Sequence, residues 1–405
     1  MRLIAFAVVC AGATASFGAD PVLTRLDSHD WILTVKIDAQ SYPIDRSLNN
    51  GTTPGFRAST SFTIDSAVFV FPMIESTASS EARPADAASS LSVDGVVYDT
   101  SATLLPDYQA GEQLGRWELP KLTGNLMRFT LELPMTSYAV KLDEARAMQI
   151  PWPTQAWSPL AASALQPQLF VESNDEVIRQ KVRAWTNNNP GGFHPAALAK
   201  MLAARVMENF RTTTDLGYVS GRLGGFAGLE VQGAAATARS NSGSPTDLTT
   251  YLCAVYRAAG LPARLVVGYD LAASLGAQLS IPDVEPTCEH NQRDNSSIAL
   301  PLLRTWVEFY LYDQADQRGE WIPVDIYRQF KVSMRPPPLD REWDFFGTNY
   351  CLVNVAPISF HLHPPTTVVN AGPPALWGWL PLPNAPVIEQ RLDFGAREPT
   401  VRSAP

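Results

Sequence analysis

Cysteine and histidine residues that could act as nucleophiles or metal ligands stand at three places in the sequence. Cys288 and His290 are separated by a single residue, so a thiolate could have a base close to it. Cys253 stands alone in an apolar run, and His361 and His363 have the spacing of metal ligands on a strand. The structural alternatives are a disulfide with a solvated histidine, a core thiol, and strand or loop histidines. We favour these alternatives, since no acidic or cysteine partner stands near the two later histidines.

The elements that would position chemical groups are clearest after residue 243. Ser244 is a good helix N-cap, Pro245 suits the first helical position, and Asp247 stands near the positive end of the helix dipole. An apolar face follows at helical spacing until Gly260 ends the helix. Strand patterns follow at residues 264–269, 305–312 and 321–325. A helix packed on antiparallel strands predicts an α+β core.

The chain before this core has the alternating pattern of short antiparallel strands, which predicts an all-β sandwich. Within it, residues 76–90 are rich in serine and alanine, which predicts a mobile loop. Prolines are frequent in two further stretches, one before and one after the core. The predicted segments are a signal peptide at 1–18, a β-sandwich domain at 19–148, a linker at 149–170, the core at 171–335 and an extension at 336–405 that packs on the core in extended, polyproline-like form.

The N-terminus predicts export. Arg2 precedes a short apolar run at residues 3–11, and small residues at signal-cleavage spacing follow it, although a buried first strand is an alternative. After residue 11 no apolar run approaches the roughly 20 residues of a membrane span. The net charge of −9 argues against nucleic-acid binding, which needs a basic surface. We therefore expect a secreted or periplasmic protein with no transmembrane segment and no nucleic-acid partner.

Cysteine usage fits an oxidising compartment only in part. Cys10 is expected to leave with the signal peptide, so that three cysteines remain, an odd number. One disulfide is then expected, and Cys288–Cys351 is the favoured pairing.

Three segments match the motifs of one known family, in the same order. Residues 255–264 followed by Gly268-Tyr269 match Leu-Leu-Arg-Ala-Ala-Gly-Ile-Pro-Ala-Arg and the Gly-Tyr strand that follows it. Residues 304–309 stand in the place of His-Ala-Trp-Val-Glu-Val, and residues 321–326 in the place of Trp-x-Pro-x-Asp-Pro. Residues 170–360 thus resemble the transglutaminase-like superfamily, whose papain-like core uses a Cys-His-Asp triad. The resemblance implies a papain-like fold of helices on an antiparallel sheet.

The departures from the family pattern concern the triad itself. The resemblance places the nucleophile at Pro245, the general base at Arg304 and the orienting carboxylate at Asp325. Proline offers no nucleophile, and arginine stays protonated and cannot accept a proton. Only the carboxylate remains, so the triad is degenerate. If the fold is kept, Arg304 and Asp325 should lie within salt-bridge distance.

These features predict a catalytically inactive protein that keeps the groove at the three triad positions, called the relic groove below. The groove would bind a peptide or protein, with Trp306 and Ser244 as binding residues and with no metal and no other cofactor. One alternative is an active thiol protease or acyl transferase that uses a relocated nucleophile such as Cys288. Another is a purely structural component of the cell envelope. Labelling with a thiol reagent separates the enzyme from the other two.

Overall fold

The computed structural model describes residues 20–41, 61–106, 112–214, 218–220, 226–270, 303–362, 378–382 and 388–399. The helices are α1 (Glu144–Ala147), α2 (Pro159–Ser163), α3 (Glu176–Trp185), α4 (Pro195–Glu208), α5 (Ala234–Ser240), α6 (Pro245–Ala258) and α7 (Ile326–Val332). Within these ranges, no helix is long and apolar enough to cross a membrane.

The strands before the core are β1 (Leu23–Ser41), β2 (Phe62–Ile64), β3 (Ser66–Met73), β4 (Ser76–Thr77), β5 (Ser80–Ala82), β6 (Ala88–Val93), β7 (Val96–Tyr98), β8 (Thr103–Leu105), β9 (Gln113–Leu119), β10 (Leu122–Gly124) and β11 (Leu126–Leu142). The later strands are β12 (Arg211–Thr212), β13 (Tyr218–Ser220), β14 (Phe226–Leu229), β15 (Ser242–Gly243), β16 (Ala263–Asp270), β17 (Leu303–Asp313), β18 (Arg318–Val324), β19 (Val355–Ser359), β20 (Gly378–Leu382) and β21 (Ile388–Arg397).

Two antiparallel sheets form the β-rich region. Strands β1 and β11 pair along almost their whole length at the centre of the larger sheet, whose order is β13-β14-β21-β1-β11-β5-β4, with β6 also on β11. The smaller sheet has the order β20-β3-β9-β8. Rings from both sheets meet between them: the Phe129 ring lies 4.4 Å from that of Phe69 and 5.0 Å from that of Trp117, centroid to centroid. Alternating apolar residues thus give the two sheets one shared core.

The core consists of α6 packed on a four-stranded antiparallel sheet in the order β18-β17-β16-β19. The Tyr256 ring on α6 packs edge-on against Phe309 of β17 at 5.9 Å, and its hydroxyl donates to the Ala199 carbonyl of α4 at 2.9 Å. Helix α6 ends where predicted, since Gly260 has φ +86°, a left-handed conformation that glycine adopts without a steric penalty. The predicted α+β fold with a preceding β-rich region is confirmed.

The prediction of a mobile loop at residues 76–90 is wrong. Strands β4, β5 and the first half of β6 lie in this stretch, and Ser79 and Ser80 are buried. The Ala78 N–H donates to the Glu308 carboxylate of the core sheet at 3.0 Å. The small side chains are the feature that predicted a loop. They allow this backbone to approach the core closely enough to hydrogen-bond with it.

The C-terminal extension was predicted to pack on the core, but only part of it does. Strand β19 joins the core sheet beside β16, but β20 pairs with β3 and β21 pairs with β1. Extended chain satisfies the N–H and C=O groups at the open edges of β1 and β3, which would otherwise be unpaired. These later strands therefore complete the two β-rich sheets. The predicted segment boundaries stay predictions.

Residues 1–19 lie outside the described residues, and so does the predicted signal peptide. Cys351 is disulfide-bonded, whereas Cys253 is free. Cys288 is also outside the described residues, so the predicted pairing stays a prediction.

Candidate functional site

Helix α6 begins at Pro245, directly after its cap. The Ser244 hydroxyl accepts from the Asp247 N–H at 3.1 Å, and the Asp247 carboxylate accepts from the Ser244 N–H at 2.9 Å. The same carboxylate accepts from the N–H groups of Gln232 at 2.7 Å and Gly233 at 3.2 Å. Burial raises the pKa of Asp247, and the hydrogen bonds from these N–H groups oppose that rise. The predicted helix start is confirmed, with a buried proline at its first position.

Strands β17 and β18 bring Arg304 beside Asp325 at one end of the core sheet. Arg304 Nε donates to Asp325 Oδ2 at 2.7 Å, and Nη2 donates to the same oxygen. The other carboxylate oxygen, Oδ1, accepts from the Arg328 N–H at 3.1 Å and so caps α7. Only 7% of the Arg304 side chain and 1% of the Asp325 side chain are exposed. The predicted ion pair is confirmed.

Pro245 is connected to this ion pair through two threonines. Thr249 Oγ1 donates to the Pro245 carbonyl at 3.1 Å and lies 3.0 Å from Thr305 Oγ1. Thr305 is the neighbour of Arg304 on β17. The structure therefore joins Arg304 and Asp325 directly, and joins the start of α6 to the same strand indirectly.

The two predicted binding residues make internal contacts. The Trp306 side chain is fully buried, and its Nε1 donates to Glu308 Oε1 at 3.2 Å. Ser244 is 1% exposed, and its hydroxyl also donates to the Glu230 carbonyl. Their assignment as ligand-binding residues stays a prediction.

A second buried ion pair, which the sequence analysis missed, lies on the same sheet. Arg264 donates to Glu308 Oε2 from Nε at 2.9 Å and from Nη2 at 2.7 Å. Its guanidinium carbon lies 4.1 Å from the ring centroid of Trp321 and 4.0 Å from that of Phe360. Burial lowers the pKa of Arg264, and the Glu308 carboxylate opposes this effect. With the Ala78 N–H on its other oxygen, Glu308 ties the core to the β-rich region.

Arg328 brings another cation to the Arg304–Asp325 pair. Its Nη2 lies 3.8 Å from Asp270 Oδ2, and 15% of its side chain is exposed. Burial lowers the pKa of Arg328 to about 10, the charge of Arg304 lowers it too, and Asp270 and Asp325 oppose both effects. We call Arg304, Arg328, Asp270 and Asp325 the arginine cluster. Arg328 was missed although it follows Asp325 by three residues at a helix start, which is a readable signal.

The predicted alternatives to the triad have different outcomes. Cys253 is free and fully buried, and burial raises the pKa of its thiol, so the core-thiol interpretation is confirmed. Cys288, His290 and His363 lie outside the described residues. A relocated thiol nucleophile therefore stays a hypothesis.

His361 has an acidic partner that is remote in sequence. Its Nδ1 pairs with Glu112 Oε2, and the Ser359 hydroxyl lies 3.4 Å from the same nitrogen. Glu112 Oε1 accepts from the Phe360 N–H at 3.2 Å. Both side chains are almost fully buried. The pair joins the β-rich region to the end of the core, and no cluster of three or more potential metal ligands occurs in the described part of the chain.

The motifs and the helix on its antiparallel sheet together resemble one superfamily. Residues 195–326 match the family model described as transglutaminase-like superfamily. This segment is therefore similar to the transglutaminase-like superfamily. The match spans about a third of the chain, from the start of α4 to the first residue of α7, and contains all three predicted triad positions. Three members of the arginine cluster, Asp270, Arg304 and Asp325, lie in this segment, and Arg328 follows two residues after its end.

One solved structure has a similar fold over a longer stretch. The "putative cysteine protease" from Cytophaga hutchinsonii is 12% identical and covers 95% of each chain with a TM-score of 0.50. A "putative protease" from Parabacteroides distasonis is 9% identical, and the match covers 74% of this chain and 59% of that one, but its TM-score of 0.21 is too low to relate the folds. No curated protein sequence matches the chain. The first likeness extends the shared fold beyond the transglutaminase-like segment.

Proposed function

We propose that the protein is a catalytically inactive, exported transglutaminase-like protein whose relic groove binds a peptide or protein. The observation that carries this proposal is the buried ion pair between Arg304 and Asp325. It occupies the two positions at which the family holds its general base and the carboxylate that orients it.

General-base catalysis requires a group that takes up a proton near neutral pH. A guanidinium is protonated at any ordinary pH, and its nitrogens donate hydrogen bonds but accept none. In this chain Asp325 Oδ2 accepts two hydrogen bonds from the Arg304 guanidinium. The acid that would orient a histidine in an active relative instead neutralises an arginine.

The nucleophile position supports the same proposal. A thiolate at a helix N-terminus is stabilised by the helix dipole and by a neighbouring imidazolium. Pro245 occupies the first position of α6 and carries no reactive group. The nearest cysteine on this helix, Cys253, is buried and has a raised pKa, so it is not available as a thiolate.

The proposal of a ligand and of export depends on separate features. Domains that lose catalytic groups and keep the surrounding fold retain a groove shaped for the substrate of their active relatives, here a peptide chain. Export is supported by the basic and apolar N-terminal pattern, which lies outside the described residues.

Thiol labelling tests the inactivity. The full chain, with its disulfide intact, is treated with limiting iodoacetamide at pH 6.5, and modified peptides are identified by mass spectrometry. We expect no cysteine to react faster than free cysteine, because no thiolate is stabilised. Rapid labelling of Cys288 that is lost in Cys288→Ser would instead support a thiol protease or acyl transferase.

A further inference from the structure

One nitrogen of the arginine cluster is buried without a hydrogen-bond acceptor. Arg304 uses Nε and Nη2 on Asp325 Oδ2, but its Nη1 has no partner in the described part of the chain. Only 7% of the Arg304 side chain is exposed, so bulk water does not replace the missing acceptor. A buried, charged donor without an acceptor is costly, and native proteins keep few of them. A ligand that carries an acceptor would satisfy this nitrogen.

A second guanidinium lies at the same place, because the Arg328 side chain is 3.8 Å from Asp270 Oδ2. Burial lowers the pKa of Arg328, and the nearby charge of Arg304 lowers it further. The part of the Arg328 side chain that remains exposed gives this corner of the sheet a route to solvent. The cluster therefore has an open donor on Arg304 and, beside it, a second guanidinium that is partly exposed.

We propose that Arg304 Nη1 and the guanidinium of Arg328 bind a carboxylate of the peptide ligand in the relic groove. This inference deepens the proposed function and rests on it for the peptide nature of the ligand. A guanidinium matches the planar geometry of a carboxylate and forms charge-assisted hydrogen bonds with it. A phosphate dianion fits less well, because Asp270 and Asp325 repel two charges more strongly than one.

The carboxylate has two sources in a peptide, its C-terminus and the side chain of aspartate or glutamate. Four small probes separate them in titrations of the full chain followed by calorimetry at constant ionic strength. N-acetylglycine carries the main-chain carboxylate and N-acetylglycinamide is its neutral counterpart. N-acetylglutamate α-amide carries the side-chain carboxylate and N-acetylglutamine amide is its neutral counterpart.

Two variants of the cluster and one matched control accompany the probes. Arg328→Gln removes the second cation and leaves the Arg304–Asp325 pair intact. Arg304→Lys keeps a positive charge beside Asp325 but removes the open Nη1. Arg335→Gln, at an exposed arginine outside the cluster, removes the same charge from the surface.

We expect at least one acidic probe to bind at least tenfold more tightly than its neutral counterpart. Both cluster variants should lower the affinity for that probe at least tenfold, and Arg335→Gln should change this affinity by no more than twofold. The acidic probe that binds identifies the source of the carboxylate.

Three results would overturn this inference. They are equal binding of acidic and neutral probes, no binding of either acidic probe, and tighter binding of inorganic phosphate than of both acids. Equal binding by acids and amides would still leave a peptide groove, so it rejects the carboxylate and not the proposed function. Rapid labelling of Cys288 rejects the inactivity and leaves the carboxylate site to be judged by the titrations alone.

Discussion

The core sheet carries two buried arginine–carboxylate pairs that differ in how completely they are satisfied. Arg264 donates twice to Glu308 and lies between two aromatic rings, and none of its nitrogens is buried without a partner in the described part of the chain. Arg304 also donates twice to one carboxylate oxygen of Asp325, yet its Nη1 is buried without an acceptor.

The difference separates a structural pair from a candidate site. Glu308 also accepts from the Ala78 backbone and from Trp306, so the Arg264 pair links three parts of the fold. The Arg304 pair lies at the predicted triad positions, and Arg328 adds a second guanidinium beside it. A fully satisfied pair has no donor left for a ligand. An unsatisfied donor beside a second guanidinium is available to one.

The largest effect is expected when the satisfied pair is broken. Arg264→Met should lower the free energy of unfolding by about 3–5 kcal/mol, because it leaves the Glu308 charge buried and unpaired. Adding Glu308→Gln should recover at least about 1 kcal/mol, since it removes that charge and keeps an acceptor for Ala78. Urea unfolding followed by circular dichroism measures both. The control is Arg116→Met, which breaks an exposed pair with Glu118. It should change the free energy of unfolding by about 1 kcal/mol or less.

If Arg264→Met costs no more than this control, the pair is not the structural link that its contacts indicate.

A smaller effect is expected for Arg304→Met, about 1.5–3 kcal/mol in the same unfolding experiment. Arg328 remains to compensate Asp325, and the variant also removes the unsatisfied Nη1. The comparison between the two arginines is the measurement of interest. A cost equal to or above that of Arg264→Met would contradict the distinction between the two pairs.

The smallest effect is expected at the helix cap. Ser244→Ala should cost about 1 kcal/mol, because the Asp247 N–H loses its acceptor at the start of α6. Ser163→Ala, at an exposed serine at the end of α2, should change stability by no more than about 0.5 kcal/mol. Indistinguishable midpoints for the two variants would mean that the cap does not hold the helix start in place.

Local signals in the sequence predict much of the core. Ser244, Pro245 and Gly260 act through neighbouring backbone groups, so the start and end of α6 could be read directly. The Arg304–Asp325 pair could be predicted because the family resemblance supplies the register of two strands. The same resemblance does not extend to the surroundings, so it gave no information about what else touches the pair.

Long-range pairing explains what the sequence did not predict. Glu112 and His361 meet across 249 residues, and no local pattern connects them. Residues 76–90 look like a loop because small polar residues have no periodicity, yet their backbone bonds to the core. Strand β21 completes the sheet beside β1 from the far end of the chain. In each case the partner decides the structure, and the partner is remote.

The central claim is that Pro245, Arg304 and Asp325 occupy the positions of a lost triad, and one alkylation measurement tests it most directly. In Pro245→Cys the new thiol stands at the first turn of α6, and in Pro245→Cys/Arg304→His it also gains an imidazole that Asp325 can orient. Both variants are first checked for cooperative unfolding, and their iodoacetamide kinetics are then measured at pH 6.5.

We predict that the introduced thiol reacts at least tenfold faster in the double variant than in Pro245→Cys, because pairing with an imidazolium lowers a thiol pKa and raises the thiolate fraction. Asp325→Asn in the double variant should remove most of the gain. Equal rates for a thiol in the two folded variants would contradict the claim that these positions form a relic catalytic site.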